Sequence, residues 1–131
     1  MRRLKLIGSL LLVLFAGYAY AADQMPAVVQ ARKADSGTVV LADAKTMTRY
    51  ISGRDTDGKS TCNGQCAANW PALAATVDAK PMGDWSVVTR DDGSKQRAYK
   101  GRPLYTFVRD VKAGDTAGEG MANNTWHVAV A

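Results

Sequence analysis

Short runs of strand-forming residues, separated by turn-forming residues, recur along this chain and predict β-strands. The runs are rich in valine, threonine and aromatic residues, and they cover 38–41, 45–51, 85–89, 96–100, 104–108 and 126–130. Asp92-Gly93 predicts a hairpin turn. Only residues 64–70 predict a helical turn, which ends at Pro71 because a residue before proline avoids the α region. The pattern predicts a mainly β fold, a small antiparallel sheet domain with one or two short helical turns.

The amino terminus has the composition of a secretory signal peptide. Basic residues at the start precede an apolar run over 6–18, and Ala19 and Ala21 occupy the positions that signal peptidase reads. We therefore expect residues 1–21 to be removed after export. A retained membrane anchor is the alternative, but a spanning helix needs roughly 20 apolar residues, so we expect no transmembrane segment after cleavage.

The predicted location of the mature chain is the periplasm or the cell exterior. A bacterial lipid anchor needs a cysteine at the end of the apolar segment, whereas the first cysteine of this chain is Cys62. Cys62 and Cys66 are the only cysteines, and three residues separate them. An oxidising compartment favours a disulfide between two cysteines this close.

The chain contains an internal repeat. Residues 50–55 read YISGRD and residues 105–110 read YTFVRD, at an offset of 55. A tryptophan follows each aspartate, 15 residues on at Trp70 and 16 residues on at Trp126. Two such units packed about a pseudo-twofold axis would bury faces that neither could bury alone.

Length and charge are those of one small domain. Three of the 17 Lys and Arg residues lie in 1–21, so the other 110 residues carry 14 basic and 12 acidic side chains, a net charge of +2. This balance gives little reason to expect a nucleic-acid partner, and we expect none. We predict a flexible arm over 22–36 and a β domain over 37–131, with repeats at about 37–73 and 85–130.

The repeated motif has a structural interpretation and a functional one. Tyr105 and Phe107 stand two apart on a predicted strand, so both rings project from one face, and Asp110 can accept N–H bonds from the turn that follows. The alternative is a metal or ligand site that uses Asp55 and Asp110, but no further ligand lies near them in sequence. We therefore favour a structural role for Tyr50, Asp55, Trp70, Tyr105, Phe107, Asp110 and Trp126.

These residues resemble a bacterial secreted-repeat family, described as predicted lipoproteins with a Yx(F/W/Y)xxD motif. YTFVRD, CNGQCAANWP, YKGRPLY and the terminal tryptophan carry the resemblance, which covers about 37–130. The first copy departs from the motif, since Ser52 stands where an aromatic residue belongs and Arg49 where leucine is usual; Ala72 replaces the second proline of W-P-P. The missing lipid-carrying cysteine implies a free protein. The resemblance supports fold and location but implies no activity, because the function of the family is unknown.

The sequence offers few groups for catalysis, and we expect neither enzymatic activity nor a cofactor. His127 is the only histidine, so any nucleophile that depends on a histidine base would have to use it. A thioredoxin-type site needs two residues between its cysteines, and a zinc site needs two further ligands. A structural disulfide is therefore the favoured role of Cys62 and Cys66, with redox or metal chemistry as the alternatives.

Binding to an anionic partner is the function that the sequence favours. Basic residues outnumber acidic ones by four between Trp85 and Lys112. If they share one sheet face, they would attract an anionic envelope component or another envelope protein, whereas the alternative is an ordinary solvated face. The candidate residues are Arg90, Lys95, Arg97, Lys100 and Arg102.

Two other functions stay open. Copper could bind to soft or borderline ligands, for which the candidates are Met47, Met82, Met121 and His127, although their spacing forms no local motif. Thiol-disulfide redox chemistry would use the cysteine pair. We predict a non-catalytic periplasmic or secreted binding or interaction module, with copper binding as the first alternative and a redox factor as the second.

Overall fold

The computed structural model describes residues 29–33, 38–43, 45 and 47–131. The predicted signal peptide lies outside them, as does much of the predicted arm. The described part contains seven strands and two short helices: β1 (Val29–Lys33), β2 (Val39–Asp43), β3 (Tyr50–Ser52), α1 (Gln65–Asn69), β4 (Trp85–Thr89), β5 (Lys95–Tyr99), β6 (Arg102–Pro103), α2 (Met121–Asn124) and β7 (Trp126–Val128). Antiparallel pairing joins β1 with β2, β3 with β7, and β5 with both β4 and β6. The predicted mainly β fold is confirmed.

Each repeat contributes its last segment to the hairpin of the other repeat. Leu41 N–H of β2 donates to the carbonyl oxygen of Ala129 at 2.9 Å, and the equivalent Arg97 N–H of β5 donates to that of Leu73 at 2.8 Å. The end of the second repeat thus extends the first hairpin, and the end of the first repeat extends the second. Neither repeat finds all its backbone partners within its own sequence, so the two halves fold as one unit.

Tyr50 and Tyr105 meet where the two repeats cross. Their backbones exchange two hydrogen bonds, of 2.8 and 2.9 Å. Each tyrosine also pairs on its other side, Tyr50 with Val128 and Tyr105 with Ala72. The strands here are shorter than the predicted strands at 45–51 and 104–108, because β3 begins only at Tyr50 and Tyr105 forms isolated bridges.

Two clusters of buried side chains stabilise the domain. The first is mostly aliphatic and lies between the hairpins: Val29, Leu41, Leu73, Trp85, Leu104 and Ala129. The second is mostly aromatic and contains Tyr50, Cys62, Trp70, Tyr105, Phe107 and Trp126. Trp70 and Trp126 stack at the centre of the second cluster, with ring centroids 3.8 Å apart and planes inclined by 4°.

The predicted arm is partly a strand. The flexible-arm prediction for 22–36 is wrong for Val29–Lys33, which forms β1 and pairs with β2 over all five residues. Val29 is buried in the aliphatic cluster, whereas Ala31 and Lys33 are exposed. This strand lacks the apolar pattern that predicts a strand, because an edge strand of a hairpin buries few of its side chains.

The short helix α2 has a left-handed backbone, unlike an ordinary α-helical turn. Ala122, Asn123 and Asn124 have φ angles of 54°, 56° and 62°, in the left-handed region. Asparagine tolerates this region better than most residues, which suits the two asparagines of the segment. The right-handed α1 occupies the corresponding place in the first repeat, so the repeats differ locally here.

Gly118 lies against the aromatic cluster without room for a side chain. A Cβ at this position would be 2.6 Å from Cη2 of Trp70 and 3.0 Å from Cε2 of Tyr50. We expect Gly118→Ala to lower the free energy of unfolding, measured in urea, by about 1–3 kcal/mol, the usual cost of overpacking a core. Gly53→Ala is the matched control, because its nearest neighbour would be the carbonyl oxygen of Thr125 at 3.4 Å. Equal losses in the two variants would contradict the packing described here.

Candidate functional site

The two repeats exchange hydrogen bonds between their motif residues. Tyr50 OH donates to Oδ2 of Asp110, and Tyr105 OH donates to Oδ2 of Asp55, each at 2.6 Å. Both tyrosines are fully buried, and the aspartates are 8–9 % exposed. Each aspartate therefore holds the tyrosine of the other repeat, and the motif joins the two halves.

The second oxygen of each carboxylate caps the turn that follows it. Oδ1 of Asp55 accepts hydrogen bonds from Thr61 N–H at 2.8 Å and from the Thr61 hydroxyl at 2.9 Å. Oδ1 of Asp110 accepts the N–H of Ala117 at 2.9 Å. The sequence predicted this capping but not the bond to tyrosine, because the tyrosine comes from the other repeat.

Burial and the carboxylates together keep the two tyrosines protonated. Burial raises the pKa of Tyr105 to about 12, and the hydrogen bond to Asp55 acts in the same direction. The pKa of Tyr50 is raised further, first by burial and then by the hydrogen bond to Asp110. Both hydroxyls therefore act as hydrogen-bond donors at physiological pH and not as phenolate nucleophiles.

Arg90 is not part of a surface patch, contrary to the sequence-based prediction. Its side chain is buried at 8 % exposure. Its guanidinium donates to Oγ of Ser60 at 3.1 Å, and that hydroxyl lies 2.6 Å from Tyr105 OH, which in turn binds Asp55. The same guanidinium also donates to the Gln96 side-chain oxygen and the Cys62 carbonyl oxygen. These polar partners compensate for burying the charge.

The aromatic cluster is asymmetric around its tryptophan stack. Phe107 stacks on Trp70 with centroids 4.2 Å apart, whereas the corresponding residue of the first repeat is Ser52. Cys62 and Cys66 are bonded, with sulfurs 2.07 Å apart, and pack with this cluster. The disulfide supplies apolar volume in the repeat that lacks the second ring.

The copper candidates lie on separate elements. Met82 is exposed and pairs through its backbone with Trp85 at the start of β4, while the half-buried Met47 precedes β3. Met121 lines a small cleft of about 240 Å³ together with Trp70 and Phe107. No group of three His, Cys, Asp or Glu side chains that could hold a metal ion occurs in the part of the chain that the structure describes.

His127 is engaged at both ring nitrogens. Nδ1 lies 2.6 Å from Oε2 of Glu119, and Nε2 lies 2.8 Å from the carbonyl oxygen of Asn124. Both partners accept hydrogen bonds, so the geometry fits a ring that donates from both nitrogens and is positively charged. The hydrogen bond to Glu119 raises the pKa of His127 accordingly.

The helices have five and four residues, and no helix within the described ranges has the length and apolar character of a membrane-spanning segment.

Removing the hydroxyl of Tyr105 tests the hydrogen bonds between the tyrosine of one repeat and the aspartate of the other. We expect Tyr105→Phe to lower the free energy of unfolding by about 1–3 kcal/mol, because it leaves the buried Asp55 carboxylate without one of its donors. Urea denaturation followed by tryptophan fluorescence measures the change. Tyr99→Phe is the matched control, since Tyr99 is only half-buried and packs through its ring against Trp85; a loss as large in Tyr99→Phe would refute the assignment.

The ion pair of His127 predicts a pH-dependent stability. A histidine whose pKa is raised on folding stabilises the protein fully below its ordinary pKa of about 6.5, and this contribution is lost as pH rises through the folded-state pKa. The urea midpoints of the wild type and His127→Gln should therefore differ most at about pH 5.5 and converge by about pH 9. An NMR titration of this single histidine should give a pKa above 6.5. A midpoint difference that is constant across this range would argue against a charged ring.

The repeats identified from the geometry coincide with two matches to a single family model. The family is described as a secreted repeat of unknown function, and its model matches residues 30–74 and 86–130. Each match begins inside the first strand of its hairpin, at β1 and at β4. No curated protein matches the chain, and no solved structure does. The protein belongs to this family of secreted repeats.

Proposed function

We propose that the protein is a non-catalytic binding module that acts in the periplasm or outside the cell, and that its partner is anionic. The observation that carries the proposal is a group of basic side chains on β5 and just after it that lack acidic partners in the described structure. We call this group the β5 basic face, and it consists of Lys95, Arg97, Lys100 and Arg102.

Strand geometry places part of this charge on one surface. Lys95 and Arg97 are half-buried and alternate along β5 with Gln96 and Ala98, which are fully buried. Because successive side chains of a strand point to opposite faces, Lys95 and Arg97 share the outer face. Tyr99 continues that face at half-buried exposure, and an aromatic ring beside cations is common in binding surfaces.

The contacts of these cations are with neutral groups. Lys95 Nζ donates to the Thr89 hydroxyl at 2.6 Å, and Arg102 donates to the carbonyl oxygen of Ser52 at 3.3 Å. Lys100 Nζ lies 5.2 Å from the centroid of the Tyr99 ring. None of these three contacts neutralises a charge, and the carboxylate of Asp57 lies beside Gly101, between Lys100 and Arg102 in the chain. The charges of Lys95 and Arg97 on the outer face of β5 are therefore the ones most available to an anionic partner.

The motif residues support a binding role over catalysis. The tyrosine hydroxyls and aspartates that could form a reactive site are buried and satisfy one another. His127 is held by Glu119 and Asn124, and Cys62 is bonded to Cys66. An external location agrees with membership of a family of secreted repeats and with a disulfide, which persists in oxidising compartments.

Binding to an anionic polysaccharide tests the proposal. We expect the protein, purified from the envelope or medium of an expressing bacterium, to bind labelled polygalacturonate in a fluorescence-polarisation assay. The affinity should fall at least about tenfold between about 50 mM and about 500 mM NaCl, because salt screens exposed charges. The triple variant Lys95→Gln, Arg97→Gln, Lys100→Gln should lose about tenfold or more at the lower salt concentration.

A second triple variant controls for net charge. Lys33→Gln, Lys80→Gln, Arg109→Gln removes the same three charges from exposed positions outside the β5 basic face. We expect this control to change the affinity by about twofold at most, within the range of ordinary surface substitutions. Equal losses in the two triple variants, or binding that is insensitive to salt, would contradict the proposal.

A further inference from the structure

A cleft of about 620 Å³ opens beside the β1–β2 hairpin. Its size lies within the roughly 300–1,000 Å³ typical of small-molecule sites. The residues that matter for its chemistry are Arg32, Val40, Lys112, Gly114, Asp115 and Glu119. None of them belongs to the β5 basic face.

The two hairpins have the same register but place their guanidinium groups differently. Arg32 pairs with Val40 across the first hairpin, as Val88 pairs with Gln96 across the second. Val88 is therefore the counterpart of Arg32, and the buried guanidinium beside the second hairpin is that of Arg90, two residues later, which donates to acceptors of Ser60, Gln96 and Cys62. One half of the molecule thus binds a guanidinium internally.

The first hairpin presents its guanidinium without such acceptors. Val40 stands where the second hairpin has Gln96, and Arg32 has no hydrogen-bond acceptor within the described residues. Nη1 and Nη2 of Arg32 lie over Gly114, each 3.2 Å from where a Cβ would be. Because Gly114 has no side chain, the guanidinium reaches into the cleft between the hairpin and the 112–116 segment.

The acidic residues of the cleft accept hydrogen bonds from neighbouring donors. Oδ2 of Asp115 accepts the N–H groups of Val111 and Lys112 at 2.8 and 3.0 Å, and these bonds lower the pKa of Asp115. Both oxygens of Glu119 are occupied, by His127 and by the N–H of Val128. Neither Arg32 nor Lys112 forms a salt bridge among the described residues, and the charge of Lys112 also acts on the nearby Asp115 carboxylate.

We propose that this cleft is a binding site for a small organic anion, whose carboxylate or phosphate group is bound by Arg32 and Lys112. Arg32 supplies the planar donor fork that matches both groups, and Lys112 adds a second, flexible ammonium. The site does not depend on the β5 basic face, so either can fail while the other stands.

An NMR titration of the isotope-labelled protein tests the site. The probes are galacturonate, which carries a carboxylate, glycerol 3-phosphate, which carries a phosphate, and neutral galactose. We expect saturable shifts of the Gly114 and Thr116 amides with at least one anion at concentrations up to about 10 mM, and none with galactose. If both anions bind, the one whose shifts saturate at the lower concentration shows whether the cleft prefers a carboxylate or a phosphate group.

Variants assign the binding to the two cations. Arg32→Gln and Lys112→Gln should each weaken the binding about tenfold, as expected when one charge-assisted hydrogen bond is lost. Lys112 is exposed on a loop, so its substitution leaves the hairpin intact. Lys80→Gln, at an exposed position away from the cleft lining, is the control and should bind like the wild type.

Three results would overturn the proposal. The first is the absence of saturable shifts with both anions. The second is an equal response to galactose, and the third is unchanged affinity in both Arg32→Gln and Lys112→Gln.

Discussion

The exchanged hydrogen bonds between tyrosine and aspartate are the constraint on which the rest of the structure depends. A buried carboxylate or hydroxyl without a partner is costly, and each repeat supplies an aspartate whose tyrosine donor lies in the other repeat. Because one oxygen of each aspartate caps its own turn, the same residue orders its loop and joins the halves. The paired backbones of Tyr50 and Tyr105 and the stacked tryptophans form the interior around these bonds.

The differences between the two repeats are as informative as their similarity. The cysteines of the first repeat, Cys62 and Cys66, form a disulfide, and Gly118 and Ala122 stand in their places in the second repeat. Ser52 of the first repeat likewise corresponds to Phe107 of the second. The aromatic cluster is nevertheless buried in both halves. The guanidinium of Arg90 beside the second hairpin is buried among three acceptors, whereas a cleft opens beside Arg32 of the first hairpin. The shared residues thus maintain the fold, and both proposed binding surfaces, the β5 basic face and the cleft beside Arg32, lie where the two copies differ in sequence.

Local signals in the sequence predicted much of the fold. The strand at 85–89 was predicted with its observed bounds, because β-branched residues precede a strong turn signal at Asp92-Gly93. The helical turn before Pro71 and the repeat of tyrosine, aspartate and tryptophan were also predictable. Strand β1 was not predicted, because it is an edge strand whose residues are mostly polar or small. The partners of Asp55 and Asp110 could not be predicted, since 50 and 60 residues separate them from their tyrosines. The burial of Arg90 could not be predicted for a similar reason, because its acceptor Ser60 lies 30 residues earlier in the chain.

A double-mutant cycle on the free energy of unfolding tests the central claim most directly. The cycle combines Tyr50→Phe with Asp110→Asn, and a reference cycle combines Tyr50→Phe with Asp55→Asn, which lies in the same repeat as Tyr50. The structure predicts a coupling free energy of about 1–3 kcal/mol for the first pair and additivity within about 0.5 kcal/mol for the second. Additivity in the first pair, or equal coupling in both, would contradict the claim that the repeats are joined through these bonds.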